Sequence, residues 1–541
     1  MSTNAEAEES SVDTKKELES FEYPGLGRTL LVTAGLYLSA FCMTLDNTIL
    51  ATAIPSILDE FRSINDVGWY GSSFIIMGTA FQLFFGKLYS SFPVKWVFIA
   101  AVMIFELGSF ICGAARNSPM LIAGRAIAGV GGAGILSGAM LIVSVTVPLA
   151  RRGIYLGGLG AIQVIASIAG PQIGGALTDY VSWRGCFYLN LPIGLITLLL
   201  VGCFLRGGTG ATESLSGKTW RELLEHFDLY GTAIFVPMTV VLLLALQWGG
   251  TRYPWNSPTI VALLAVVAAL LVAFILIQRR MQDKGTISVR LLRNRAMWSS
   301  ALFGMCLSGA MFILIYYLAM WFQTVKHASA SESATMCLPM MVSIIIASLV
   351  GGVATSYPRF CAPTATAAGI FVSVGAGLLT TLGPDSGHAS WIGYQVLCGT
   401  GVGLAAQSAM VAIQAHLPAA DLPMAIAIYT FSQGTSTALS LSIGENVFTN
   451  ELVRQLKSKA PSLSTQAILQ AGATALEGVV PSNLRPVVQQ AYNEAIVGVF
   501  YIALAYAVVS VLGAMCFVWK YQKPTAPEAS PQEMKDANEQ V

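Results

Sequence analysis

Three ionisable side chains stand inside apolar segments that are long enough to cross a membrane. They are Asp46, Glu106 and Arg125. A charge at the centre of a membrane span costs roughly 2.5–3.5 kcal/mol on insertion scales, so it needs a partner, a water-filled cavity or a function. A dehydrated carboxylate can bind a proton near neutral pH and release it when water reaches it. These residues therefore predict a proton-coupling site.

Each of the three has a structural alternative. Asp46 could be held near the outer end of its span by hydrogen bonds to helix ends. Arg125 could form a purely structural ion pair, with Asp46 or backbone carbonyls as its partners. If protonation of Asp46 changes that attraction, the pair is a switch. Two interpretations of Glu106 stay equally open. It could be a second proton-binding site, or a neutral, protonated acid that is hydrogen-bonded to a neighbouring helix.

The composition places the chain in the membrane class. Of 541 residues, 55% are hydrophobic and 11% are charged, against roughly a quarter charged in soluble domains. The net charge of +1 provides no basic footprint for nucleic acid. The nine cysteines lack metal-ligand or redox spacing, and the four histidines form no cluster. We expect no metal, no cofactor and no catalytic set of a membrane enzyme.

Two glycine-rich stretches imitate nucleotide-binding motifs. The run 129–134 satisfies G-x-G-x-x-G, but no strand precedes it. Gly217-Lys218-Thr219 looks like the end of a P-loop, but Thr212 stands where that motif needs its first glycine. Neither dinucleotide binding nor ATP-driven transport is expected.

A transmembrane helix needs about 20 mostly apolar residues. Fourteen stretches meet this requirement, so we predict an all-α polytopic membrane protein with fourteen transmembrane helices that position these residues. Their predicted limits are 29–54, 67–86, 96–115, 119–147, 153–177, 183–204, 229–248, 258–278, 298–322, 335–356, 363–383, 391–416, 422–444 and 495–519. Short loops on the side of the N-terminal tail carry fourteen Lys and Arg, against five on the other side. Both termini are therefore predicted to be cytosolic.

A weak internal repeat organises these spans. The stretch 86–93 resembles 351–358, and Gly129 and Gly131 match Gly399 and Gly401. Parallel six-helix halves are a transporter architecture with the substrate site between them. The predicted parts are a disordered cytosolic tail 1–28, an N-terminal half 29–204, a cytosolic amphipathic loop 205–228, a two-helix insert 229–278, a basic cytosolic loop 279–297, a C-terminal half 298–519 with a long outer loop 445–494, and a cytosolic tail 520–541.

Gating and substrate contacts have weaker signals. Small residues allow helices to approach closely, and proline bends a helix. A bent, tightly packed seam that controls which side of the carrier can open is therefore predicted at Gly170, Pro171, Gly174 and Gly175. Ordinary close packing of helices is the alternative. Little other charge would face the cavity, which favours a neutral or weakly polar, fairly large organic substrate. The candidate cavity residues are polar or aromatic side chains: Asn47, Gln163, Tyr316, Trp321, Gln407 and Gln433.

Over 29–520 the chain resembles the major facilitator superfamily, and within it the fourteen-span drug:proton antiporters. The run 45–55 is similar to that group's first-helix motif, which places an acid at Asp46, and 124–134 is similar to the span 4 motif, whose arginine falls on Arg125. The run 170–175 resembles the antiporter motif of exporters, and 183–194 resembles the stretch that opens span 6. The usual Asp-Arg of the loop after span 2 is replaced by Ser90-Ser91, as in the fungal toxin-efflux branch.

The resemblance implies proton-coupled export of a toxin, secondary metabolite or drug by alternating access. A proton-coupled importer or siderophore carrier of the same fold is the alternative, and a non-transporting sensor is another. The implied partners are a small-molecule substrate, protons and the lipid bilayer, without nucleic acid or ATP. We expect a monomer in the plasma membrane, with the vacuolar membrane as the alternative.

Overall fold

A computed structural model describes residues 24–63, 66–206, 228–250, 252–281, 285–460, 481 and 484–518. The N-terminal helices are α1 (Leu26–Phe61), α2 (Val67–Ala80), α3 (Gln82–Ser91), α4 (Val94–Gly113), α5 (Ser118–Thr146), α6 (Leu149–Tyr180), α7 (Gly185–Tyr188) and α8 (Asn190–Phe204). Next come α9 (Leu229–Trp248), α10 (Pro258–Met281) and α11 (Val289–Arg293). The remaining helices are α12 (Arg295–Val325), α13 (Ala330–Met336), α14 (Leu338–Thr355), α15 (Cys361–Leu379), α16 (His388–His416), α17 (Leu422–Lys459) and α18 (Arg485–Met515).

The described residues are helical and contain no β strand, apart from one isolated bridge between Gly249 and Tyr253. Twelve candidate spans are long and apolar enough to cross a membrane. Two further stretches fall outside that criterion: the pair α2 and α3, which is broken at Phe81, and α17, which is rich in Ser and Thr. The predicted all-helical membrane fold is confirmed.

Glycines set how closely helices approach within the N-terminal half. A Cβ on Gly131 of α5 would overlap the backbone of Phe105 on α4, and a Cβ on Gly108 would overlap the backbone of Ala128. The glycine run 129–134 is therefore a packing surface of α5, with Gly129 against Phe74 of α2 and Gly131 against α4, which accounts for its resemblance to a dinucleotide motif.

The two halves meet along two seams. Helices α1, α6 and α17 all begin at the same end of the bundle, which we call the inner end. There α3 packs against α17, where a Cβ on Gly86 would overlap Ala427 and Gln82 Nε2 donates to Thr430 Oγ1 at 2.5 Å. The second seam joins α6 to α14, where a Cβ on Gly153 would overlap the Gly352 carbonyl. Both seams are closed at this end.

Helices α9 and α10 pack together and lie against the first seam. Ile76 of α2 and Leu243 and Leu246 of α9 form a small apolar cluster. Ser442 of α17 donates to the Leu246 carbonyl at 2.7 Å. The α9–α10 pair therefore contacts both halves.

Two helices extend into the segment that the sequence assigns to an outer loop, 445–494. Helix α17 continues to Lys459, and α18 begins at Arg485. The predicted amphipathic loop 205–228 lies almost wholly outside the described residues, as do the tails 1–23 and 519–541.

Candidate proton-coupling site

The centre of the N-terminal half contains one buried ion pair. Asp46 of α1 and Arg125 of α5 have fully buried side chains, and Arg125 Nη1 donates to Asp46 Oδ2. The two residues that the sequence singled out are therefore partners. A fully buried pair is held by strong Coulomb attraction, which must offset the large free energy of dehydrating both ions.

Further groups complete the surroundings of the guanidinium. Arg125 Nε donates to the Tyr70 carbonyl at 2.9 Å, and Nη2 donates to Asn47 Oδ1 at 3.2 Å. The Phe74 ring lies 4.7 Å from the guanidinium carbon, within cation–π range. These contacts use atoms of α1 and α2, so the arginine ties three helices together.

Asn190 at the start of α8 is a site residue that the sequence analysis did not single out. Its Nδ2 donates to Asp46 Oδ1 at 3.0 Å and to Ser109 Oγ at 3.1 Å, and the Cys42 thiol donates to its Oδ1 at 3.2 Å. The residue is fully buried. An uncharged amide in an apolar span is a weak signal by itself, but it lies within the 183–194 stretch that resembles a family motif.

Glu106 lies on α4 and reaches the same region from the other side. A Cβ on Gly194 of α8 would overlap its carboxylate, so this glycine makes the space for Glu106. Glu106 Oε2 is buried and has no hydrogen-bond partner within the described residues. A buried carboxylate oxygen without a donor is costly when charged, so the environment suits the protonated form.

The glycine-proline element lies on α6 against α1. Cβ atoms on Gly170 and Gly174 would overlap the hydroxyls of Thr48 and Thr52, and Gly174 also faces Ile49. These glycines therefore allow close packing of α6 on the helix that carries Asp46. Helix α6 continues through Pro171, which is exposed, and a Cβ on Gly175 would meet nothing within 4 Å.

The candidate cavity residues do not form one cluster. Asn47 joins the Arg125 site. Buried Gln407 of α16 lies beside Gly160 of α6, across the halves, and Gln163 lies one turn further along α6. Gln433 donates to the Tyr429 hydroxyl at 3.3 Å within α17.

Tyr316 and Trp321 of α12 lie apart from those groups. The Trp321 indole is fully buried and donates to Asn493 at 2.7 Å, in the core of the C-terminal half. Tyr316 is half exposed beside Tyr317, whose hydroxyl donates to Glu445 at 3.4 Å. The sequence analysis missed Glu445 because it placed this residue in a loop.

A second ion pair, at the outer end, is exposed. Glu60 near the end of α1 accepts from Arg184 Nη1 at 2.9 Å and Nη2 at 2.7 Å, and from the Trp183 indole at 2.8 Å. The Glu60 carboxylate raises the pKa of Arg184 by hydrogen bonding to it. This pair shares a helix with Asp46 but not its burial.

A polytopic bundle of two packed helical halves, with a buried ion pair at the centre of one, belongs to the class of membrane transporters. The family profile of the Major Facilitator Superfamily matches residues 36–248 and 227–441. The chain belongs to this family, which confirms the resemblance predicted from its motifs.

The curated relatives are named as transporters. The MFS-type efflux pump MFS1 of Arthroderma benhamiae is 46% identical over 499 residues, covering 92% of each chain. The MFS-type transporter astH of Aspergillus oryzae is 47% identical over 509 residues, covering 94% of this chain and 90% of the relative. The efflux pump roqT of Penicillium rubens is 44% identical over 493 residues, covering 91% of each. These names confirm a transporter rather than an enzyme.

Solved structures share the fold at low identity. The human organic anion transporter MFSD10 superposes with a TM-score of 0.58 at 12% identity, covering 88% of this chain and 99% of that one. The proton:xylose symporter XylE gives a TM-score of 0.56 at 12% identity, covering 90% and 95%. At this identity the likeness supports the fold alone.

Proposed function

We propose that the chain exports a small organic molecule, such as a secondary metabolite, toxin or drug, in exchange for protons. The observation that carries the proposal is the Asp46–Arg125 pair, which is fully buried at the centre of the N-terminal half. The names of the relatives, among them two efflux pumps, favour export over import. The glycine-proline element on α6 supports the same direction.

The proton cycle that we propose uses three side chains. Asp46 as a carboxylate attracts Arg125 and accepts from Asn190. When a proton neutralises Asp46, the Coulomb part of that attraction is lost, so the contacts between α1 and α5 weaken. Glu106 supplies a second proton-binding carboxylate nearby, in a pocket that suits its neutral form. Ligands shift such a carrier only through different affinities for its two states.

Alternating access is supported by the position of the closed contacts. Both seams are packed at the inner end, through Gly86 and Gly153. At the other end of α6, Pro171 is exposed and Gly175 has open space beside it. This arrangement corresponds to a carrier that is closed toward the inner side, and rocking of the halves about the central site would open it there.

The membrane topology that we propose has fourteen spans. Twelve meet the length and hydropathy criterion, and the α2–α3 pair and α17 supply the other two. Helices α9 and α10 are then an insert between two six-span halves. The Lys and Arg bias of the loops supports a cytosolic position for the inner end and both termini. We further propose a monomer in the plasma membrane.

The test is Asp46→Asn in sealed vesicles with an imposed pH gradient, using the neutral dye Nile red as a fluorescent probe of export. We expect gradient-driven export to fall at least a hundredfold, because the side chain can no longer exchange a proton, while the amount of protein in the membrane is unchanged. The matched control is Glu60→Gln, which alters a carboxylate on the same helix that is also paired with arginine. It should keep most of the export.

Two outcomes would contradict the proposal. Normal gradient-driven export by Asp46→Asn would remove this residue from the coupling. Full-rate export by the unmodified protein without any proton gradient would remove proton coupling altogether.

A further inference from the structure

The inner end of α9 begins at a buried carboxylate that the proton cycle does not use. Asp228 is fully buried and caps α9 by accepting from the Gly231 amide at 2.7 Å. Its other oxygen accepts from Gln278 Nε2 at 2.6 Å, and from the amide and hydroxyl of Thr286, both at 2.8 Å. One carboxylate therefore joins the start of α9, the end of α10 and the segment that follows α10.

That following segment, residues 285–290, lies across the first seam, and we call it the strap. It is held at Thr286 by Asp228, and the Ile287 amide donates to Gln278 Oε1 at 3.1 Å. Gly285 and Thr286 are buried. The strap is thus fixed to the α9–α10 pair by three hydrogen bonds among buried or partly buried groups.

The strap contacts both helices that close the seam. Lys87 of α3 donates to the Gly285 carbonyl at 3.3 Å, and its ammonium also lies within electrostatic range of Asp228. At the other side, Arg290 donates to Asp421, directly before α17, at 2.8 Å. The strap therefore bridges the seam, because this one segment is bonded both to α3 and to the start of α17.

We propose that Asp228 and Lys87 are positioning residues of the transport cycle. They hold the strap against α3 while Arg290 holds it against α17, so that the α9–α10 pair favours the state in which the inner end is closed. Opening this end must separate α3 from α17, and the strap cannot remain bonded to both. This inference rests on the proposed alternating access.

The charge of Lys87 carries the tie between the N-terminal half and the strap. A hydrogen bond from an ionised donor is roughly twice as strong as a neutral one, and the buried carboxylate of Asp228 adds attraction. The Arg290–Asp421 pair is more exposed, with the arginine side chain 64% accessible, and exposed ion pairs contribute little. The α17 side is also held through α9, whose Leu246 carbonyl accepts from Ser442 of α17. Lys87 is therefore the residue whose replacement should matter most.

The test measures opening at the other seam, away from the strap. Ser348 of α14 is buried and donates to the Gly157 carbonyl at 3.2 Å, so a cysteine there reacts only when the halves separate. The full chain carrying Ser348→Cys is placed in phosphatidylcholine nanodiscs without substrate or pH gradient. The measurement is the rate at which a membrane-impermeant maleimide labels this chain. The labelling rate of the same chain without Ser348→Cys is subtracted, which corrects for the nine native cysteines.

We expect Lys87→Met to raise this labelling rate about fivefold. Lys87→Arg should keep the rate that is measured with Lys87 itself, because arginine keeps the charge and the hydrogen-bond donors. Asp228→Asn should act in the same direction as Lys87→Met. The matched control is Lys95→Met: Lys95 lies in the same inner region and donates to the Gly202 carbonyl at 2.6 Å, but both ends of that bond lie in the N-terminal half. It should leave the rate unchanged.

Equal rates in Lys87→Met and the unmodified chain would overturn the strap while leaving alternating access standing. An equal rise in Lys95→Met would also overturn it, because loss of basic charge alone would explain the effect. Labelling in none of the variants would overturn both the strap and alternating access.

Discussion

The strength of the Asp46–Arg125 pair can be measured with a double-mutant cycle. Removing one partner of a buried ion pair costs about 3–5 kcal/mol, because the remaining charge is left without compensation. Arg125→Met leaves Asp46 with the Asn190 amide as its described donor. Asp46→Asn leaves Arg125 bonded to the Tyr70 carbonyl and Asn47. We therefore expect Arg125→Met to be the more destabilising single change.

The double mutant should be more stable than the sum of the two single changes allows. The expected coupling free energy is about 2–3 kcal/mol, within the range measured for residues that share a network. The measurement is reversible unfolding of the purified chain in mixed micelles titrated with sodium dodecyl sulfate, followed by tryptophan fluorescence. All four members of the cycle are compared under identical lipid and detergent conditions.

The Glu60–Arg184 pair supplies the comparison cycle. Its side chains are 43% and 30% exposed, although both arginine nitrogens reach the carboxylate. Solvent and salt screen such a pair, so we expect its coupling to stay below about 1 kcal/mol. If the coupling at Asp46–Arg125 is no larger than at Glu60–Arg184, burial does not strengthen the central pair and our reasoning about the switch is wrong.

Two glycine substitutions test the seam and the second carboxylate. Gly153→Ala should raise the labelling rate of Ser348→Cys, because the new methyl overlaps the backbone of α14 and such overpacking costs about 1–3 kcal/mol. The control is Gly175→Ala on the same helix. Its methyl meets no atom within 4 Å, so the labelling rate should be unchanged. Gly194→Ala should shift the pH profile of export, because the methyl overlaps the Glu106 side chain and must displace its carboxylate, at an overpacking cost of about 1–3 kcal/mol. Gly202→Ala, with open space around it, is the control on α8, and an unchanged profile in Gly194→Ala would leave Glu106 without a part in coupling.

The central ion pair was predictable from the sequence because charge in an apolar span is costly and therefore informative. Asp46 and Arg125 carry opposite charges in segments that a bundle brings together, so their pairing follows from electrostatics. Asn190 carried no such signal, because an amide is cheaper to bury and is common in helix packing. Its role depends on the angle at which α8 begins beside α1, which a linear sequence does not reveal.

The membrane helices were predictable where hydropathy was high and less so where packing replaced it. Helix α17 is buried along much of its first half, and its Ser and Thr residues did not hide the span 422–444. The charged residues of 445–459 lower the hydropathy there, so the extension to Lys459 and the position of Glu445 were missed. These hydroxyls are satisfied locally, as when Thr430 donates to the Ile426 carbonyl at 2.8 Å.

The loss of the family's Asp-Arg pair changes what must hold the inner end closed. At those positions stand Ser90 and Ser91, and Ser90 donates to the Lys87 carbonyl in its own helix. The inner end is instead closed by the glycine contacts of Gly86 and Gly153 and by the bond from Gln82 to Thr430, to which our proposal adds the strap. Packing contacts do not change when a proton binds. In the proposed cycle, proton binding must therefore act from a distance, through the Asp46–Arg125 pair and the helices that it joins, and the closed end would respond by rigid movement of the halves.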